Sequence, residues 1–140
     1  MDVILTPAAG NDWVAPDPKG RVELLHGSFR GPILAESLLQ TILFMNQQMP
    51  QMLTNFENHS WNTNIQTESR LRNQQNVLII GFGNVGSDCA AQIRGLGSRV
   101  IAIRKSTGPH SPRDTVVFGI EQLSQFLLQA DRIVLLLPGN

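Results

Sequence analysis

The four apolar residues Val77-Leu78-Ile79-Ile80 run directly into Gly81-Phe82-Gly83-Asn84-Val85-Gly86, where a helical pattern begins. A G-x-G-x-x-G turn between a strand and a helix is suited to a dinucleotide pyrophosphate. The first glycine makes the tight turn, the second lets backbone approach the phosphates with no Cβ in the way, and the third lets the helix pack closely on the strand. Amides in the helix's first turn have no intrahelical acceptor and face the anion. Glycine turns are common, so the flanking strand and helix carry the reading. The alternative is a strand-to-helix turn without a ligand.

The choice of cofactor is expected at the end of the next strand. In the usual arrangement an Asp or Glu about twenty residues past the glycines accepts hydrogen bonds from the adenosine ribose hydroxyls. Here strand 100–103 runs into Arg104-Lys105-Ser106-Thr107, with two cations and two hydroxyls where the acid would stand. A carboxylate repels a 2′-phosphate, whereas an Arg grips it with a planar fork and a Lys adds a point charge. The sequence therefore favours NADP, with NAD as the other candidate. Two alternatives stay open: Arg104 and Lys105 are solvated residues at a strand end, or Arg104 stacks on the adenine of NAD.

Other reactive side chains are scattered. His26, His59 and His110 are far apart and read as solvated residues, with no metal-ligand spacing. Cys89 falls one turn into the helix after the glycines. The helix dipole would lower its pKa there, but a buried packing residue is the expectation. Glu36 reads as a capping or hydrogen-bonded residue. A single cysteine excludes an intramolecular disulfide framework and a multi-cysteine zinc site, which suits a reducing cytoplasm. Eleven basic residues balance eleven acidic ones, so neither nucleic acid nor an anionic membrane is expected as a partner, and a small molecule is. No apolar run has the length of a membrane span, and no secretory signal is expected, so the sequon at Asn58 reads as chance.

The elements that position these residues follow from periodicity. Residues 3–6 and 22–25 read as short strands separated by a turn-rich stretch. From 33 to 56, Leu34, Leu38, Ile42, Met45, Met49, Met52, Leu53 and Phe56 recur every three or four positions, the pattern of an amphipathic helix. Pro32 is placed at its first position, Glu36 near its positive end, and Pro50 at a kink or end. Residues 62–76 read as a polar linker. Helix 85–95, strand 100–103, strand 115–118, helix 120–130 and strand 133–137 complete an α/β unit. The expected architecture is a doubly wound parallel sheet of Rossmann type in the order 3-2-1-4, incomplete in its C-terminal half. The continuously apolar strand Ile133-Val134-Leu135-Leu136-Leu137 is expected to be covered on both faces and paired on both edges, so the chain reads as part of a larger protein or as one that needs another chain to cover that edge.

Taken together, these segments resemble the D-isomer-specific 2-hydroxyacid dehydrogenases. The likeness lies in Ala8-Ala9-Gly10-Asn11-Asp12-Trp13, in Gly31-Pro32-Ile33-Leu34-Ala35-Glu36 opening the long helix, in Trp61 before the linker, and in the glycine turn. It extends through 100–106 and from Ala130-Asp131 to Leu137-Pro138. The resemblance implies residues 1–30 as a remnant of the substrate-domain side and 31–140 as the NAD(P)-binding domain, with a long helix at 31–57 and a βαβαβ unit at 77–138. It implies a substrate carboxylate at the amides of Ala9 and Gly10. Gly81, Phe82, Gly83, Asn84, Val85, Gly86, Arg104, Lys105, Ser106, Leu137 and Pro138 would lie at the cofactor. It also implies a homodimer through helix 33–56, although periodicity alone fits a core helix equally well.

The family's catalytic Arg, acidic residue and His normally follow the Leu-Pro motif, and none can be placed in these 140 residues. The leading expectation is the NAD(P)-binding portion of an oxidoreductase acting on D-2-hydroxy acids or 2-keto acids such as glyoxylate, hydroxypyruvate or phosphohydroxypyruvate, inactive alone. The alternative is a non-catalytic NADP-sensing or dimerisation module. A methyltransferase fits less well, because that class wants an acid after the second strand.

Overall fold

A computed structural model describes residues 2–7, 14–62, 75–105 and 115–137. Strands β1 (Asp2–Thr6) and β2 (Val22–His26) pair in parallel, from Asp2 against Val22 to Thr6 against His26. Between them, the Asp17 carboxylate accepts the amides of Lys19 (3.1 Å) and Arg21 (2.9 Å), a side-chain-closed turn that holds the acid below its ordinary pKa. Most of this ribbon is exposed, including Val3, Leu5 and Leu25.

Helix α1 (Arg30–Asn46) is followed by α2 (Met49–Glu57). The single helix expected over 33–56 is thus two. An unbroken helix would need an amide at Pro50 to donate to the Asn46 carbonyl; proline has none, and its ring would strike that carbonyl. The chain instead ends α1 at Asn46, passes through a left-handed Gln48 (φ 53°), and restarts with Pro50 in the first turn of α2. The start of α1 also differs from expectation. Arg30 is its first residue, so Pro32 is third, Glu36 lies in the second turn, and the first turn holds no acid.

The second sheet carries the core. Its order is β5-β4-β3-β6, all parallel, for β3 (Asn76–Ile80), β4 (Arg99–Arg104), β5 (Val116–Gly119) and β6 (Arg132–Leu135). Numbered from β3, this is the expected 3-2-1-4 order of a doubly wound α/β sheet. Alternation along β3 sends Val77 and Ile79 to one face and Leu78 and Ile80 to the other. On the first face they meet Ala35 and Ile42 of α1 and Cys89, Ala90 and Ile93 of α3 (Asn84–Gly95). On the second face, Leu78, Ile80 and Ile103 pack with Phe126 of the short helix α4 (Leu123–Leu127), whose ring lies 4.4 Å from that of Phe118. Helix α1 lies closely on α3. A Cβ at buried Gly31 would fall on the Asp88 carboxylate.

The expected helix 120–130 is a 3-10 turn, Ile120–Gln122, followed by α4. Beside it, β6 has the open edge and face expected of a sheet incomplete in its C-terminal half. Among the described residues β6 pairs only with β3, and Ile133 and Leu135 are 49% and 66% exposed. Val134 faces the α1–α3 layer and is buried, whereas five-residue α4 covers β3 and β4 and leaves its own face of β6 open. The strand ends at Leu135 rather than Leu137.

Candidate functional site

The C-terminal ends of β3, β4 and β6 meet at the glycine turn. The Gly81 amide donates to the Ile103 carbonyl (2.9 Å), and the Leu136 amide donates to the Ile80 carbonyl (2.8 Å), so Gly81 is clamped between β4 and the end of β6. Its φ is +99°, and a Cβ there would lie 2.5 Å from the Leu136 carbonyl oxygen. Only glycine fits. The sequence accounts for the turn; the backbone of Leu136 pressing on it was not legible, because the contact joins residues far apart in the chain.

Gly86 is fixed by the packing expected of it. A Cβ would lie 2.7 Å from the Gly81 carbonyl oxygen, which is how closely α3 approaches the end of β3. Gly83 is different in kind. It is exposed, and among the described residues no atom lies within 4 Å of where its Cβ would be. No described residue forbids a side chain at Gly83, so the space there fits backbone approach by a ligand.

Gly83 is also the N-cap of α3, and the first intrahelical bond runs from the Ser87 amide to the Gly83 carbonyl (2.9 Å). The amides of Asn84, Val85 and Gly86 precede it at the positive end of the dipole, with no capping side chain. This cradle suits a pyrophosphate. Phe82 enters it only through backbone, because its side chain is buried in the core against α3.

Arg104 ends β4, half-buried, and Lys105 follows it exposed. β3 and β4 are in direct register, Ile80 against Ile103, so the two cations stand one strand away from Gly81. Leu137, also exposed, leaves β6 on the other side. The described part of the expected set therefore converges on one edge of the sheet. Ser106, Pro138, Ala9 and Gly10 lie outside the described residues, as does His110.

The remaining candidates stay apart from this edge. His26 ends β2 and His59 sits in the turn after α2, both exposed. Among the described residues no group of three or more His, Cys, Asp or Glu is placed to hold a metal ion. Cys89 is 1% exposed in the core, and burial, aided by the negative charge of Asp88, raises its thiol pKa against a backbone hydrogen bond that lowers it. Glu36 lies exposed beside an apolar groove formed by Leu39, Leu43, Phe44 and Met49 on the outer side of α1 and α2. No described helix is long and apolar enough to cross a membrane.

Residues 39–140 match the family model of the D-isomer specific 2-hydroxyacid dehydrogenase, NAD binding domain. No curated protein matches in sequence. Among solved structures, the fold is similar to an NADPH-dependent glyoxylate/hydroxypyruvate reductase from Sinorhizobium meliloti, in complex with NADP and sulfate. The TM-score is 0.78 at 24% identity, over 100% of this chain and 44% of that one. A D-isomer specific 2-hydroxyacid dehydrogenase from Xanthobacter autotrophicus Py2, in complex with NADPH and MES, gives 0.80 at 19% identity over 100% and 44%. A D-lactate dehydrogenase from Aquifex aeolicus, complexed with NAD and lactic acid, gives 0.78 at 19% identity over 100% and 42%. The chain spans less than half the length of each of these structures. With most of its length matching that model and its glycine cradle at the expected edge of the sheet, the chain belongs to the D-isomer-specific 2-hydroxyacid dehydrogenase family, through the NAD(P)-binding domain.

Proposed function

We propose that this chain is the NADP-preferring cofactor-binding portion of an oxidoreductase that interconverts D-2-hydroxy acids and 2-keto acids, with glyoxylate, hydroxypyruvate or phosphohydroxypyruvate as typical substrates. The carrying observation is the pairing of the cradle at Gly83 with Arg104 and Lys105 at the end of β4, where no acid directly follows in sequence. Gly81, Gly83 and the amides of Asn84, Val85 and Gly86 would hold the pyrophosphate, and Arg104 and Lys105 the 2′-phosphate of the adenosine ribose. The bound dinucleotide would supply the hydride chemistry. Ala9 and Gly10 would offer amides to the substrate carboxylate, and residues 1–30 would belong to the substrate side. These 140 residues contain no identified proton-transfer group at the cradle, so turnover by them alone is negligible in this reading.

A homodimer through the 33–56 region belongs to the same proposal. Gly31, Ala35, Leu38 and Ile42 face the core, while Ile33, Leu34, Phe44 and Met45 are exposed. Together with the groove on the outer side of α1 and α2, these leave a second apolar surface that a copy of the chain would cover.

Calorimetric titration with NADPH and NADH tests the central claim. NADPH should bind more tightly, and Arg104→Ala should narrow the preference by roughly tenfold, about 1.4 kcal/mol. Equal affinity of the unmutated chain for both dinucleotides refutes the preference.

A further inference from the structure

The sequence places no acid directly at the end of the second strand of the dinucleotide unit, but the fold brings one towards it from the third. β4 and β5 pair with Arg104 directly against Gly119, the last residue of β5. Ala102 belongs to the core on the α3 side of the sheet and Val117 packs against it, so alternation by two puts Arg104 and the Cα–H of Gly119 toward the same side. The chain then turns through Ile120–Gln122, and the Glu121 carboxylate comes back over Gly119, occupying the place a Cβ would take. Neighbouring strands lie about 4.8 Å apart. Glu121, exposed at the surface, thus lies over the residue that pairs with Arg104, at the same end of the sheet.

We propose that Glu121 is a specificity-determining residue of the dinucleotide site, setting how strongly Arg104 discriminates for a 2′-phosphate. This deepens the cofactor assignment above and rests on it. A 2′-phosphate carries nearly two negative charges and meets the Glu121 carboxylate as a like charge while drawing on the same guanidinium. A 2′-hydroxyl meets it as a donor meeting an acceptor. Glu121 therefore works against Arg104, lowering affinity for NADPH and supporting NADH. The acid that usually chooses NAD is supplied from the neighbouring strand end, and Gly119 is the residue whose missing side chain makes room for it.

The test is calorimetric titration of the full chain and its Glu121→Gln and Gly119→Ala variants with NADPH and NADH. Glu121→Gln keeps the shape and removes the charge, and should raise the ratio of NADPH to NADH affinity roughly fivefold. Gly119→Ala displaces the carboxylate and should move the ratio the same way by a smaller factor. The Glu121→Gln shift should shrink in added salt, which screens an exposed charge but leaves a packing change unmoved. A ratio unchanged by Glu121→Gln, with both dinucleotides still binding, overturns the role of Glu121 alone. Failure of the unmutated chain to bind either dinucleotide overturns the cofactor assignment and this proposal with it.

Discussion

The two ends of the four-stranded sheet treat their polar groups in opposite ways. At the N-terminal end they are tied to one another. Buried Asn46, the last residue of α1, donates through Nδ2 to Gln75 Oε1 (2.9 Å) and accepts at Oδ1 from Arg132 Nη2 (2.8 Å), while the Asn76 amide donates to the Asp131 carboxylate (2.9 Å). Helix α1, the entry to β3 and the entry to β6 are thereby fastened together. At the C-terminal end, no described side chain caps the helix amides of Asn84–Gly86, and no described atom lies within 4 Å of a Cβ at Gly83. One end ties its polar groups into the fold, and the other leaves helix amides without a capping side chain among the described residues.

The contrast also divides the glycine turn, and the largest expected effect separates its members. Gly81→Ala forces a side chain into a left-handed position and against the Leu136 carbonyl, and should lower stability by about 3 kcal/mol, roughly 10 °C in Tm. Gly83→Ala meets no atom of the described residues at an extended backbone (φ −103°, ψ −154°). It should leave the melting temperature unchanged or slightly higher and weaken NADPH binding roughly tenfold or more. Thermal melts beside titrations give both readings. Equal destabilisation by the two substitutions would mean that Gly83 is structural, and the distinction between its role and that of Gly81 would be lost.

The other end should respond in the complementary sense. Asn46→Ala strands Gln75, which is 3% exposed, and removes an acceptor from Arg132; it should cost about 2 kcal/mol by urea unfolding, with NADPH affinity unchanged once folded. A selective loss of binding would mean that the two ends are coupled.

What was legible in the sequence follows the same division. The 3-2-1-4 sheet and the glycine cradle were readable because each depends on local signals: apolar strands of four or five residues, helical spacing, and glycines at fixed offsets. The helix break was partly readable from Pro50, but its place at Gln47-Gln48 depends on which carbonyl the proline would strike. The stripe over 33–56 concealed two surfaces, since Leu38 and Ile42 reach the core while Leu34, Met45, Leu53 and Phe56 stay exposed. Contacts between distant residues were not legible. The Leu136 carbonyl against Gly81, the Asn46 network and the pairing of Arg104 with Gly119 each depend on register between strands or on a helix end meeting a sheet, which composition and spacing do not encode.

The smallest effect comes from between the two ends, where Cys89 sits in the middle of α3. Burial, with Asp88 adding to it, raises its thiol above the ordinary value of 9.0. In the unfolded chain the thiol ionises at its ordinary value while the folded chain keeps its proton, so above that pH the unfolded state binds fewer protons and stability falls as pH rises. Below the ordinary value both states hold the proton and the contribution to stability is complete. Urea midpoints measured from neutral pH to above 9.0 should therefore decline, and Cys89→Ala should flatten that decline while lowering the midpoint at neutral pH through lost packing. The same burial should make the thiol slow to alkylate in the folded chain. Rapid alkylation under native conditions, with no difference in slope between the two proteins, would place Cys89 at an accessible position and open the α1–α3 layer that separates the fastened end of the sheet from the ligand end.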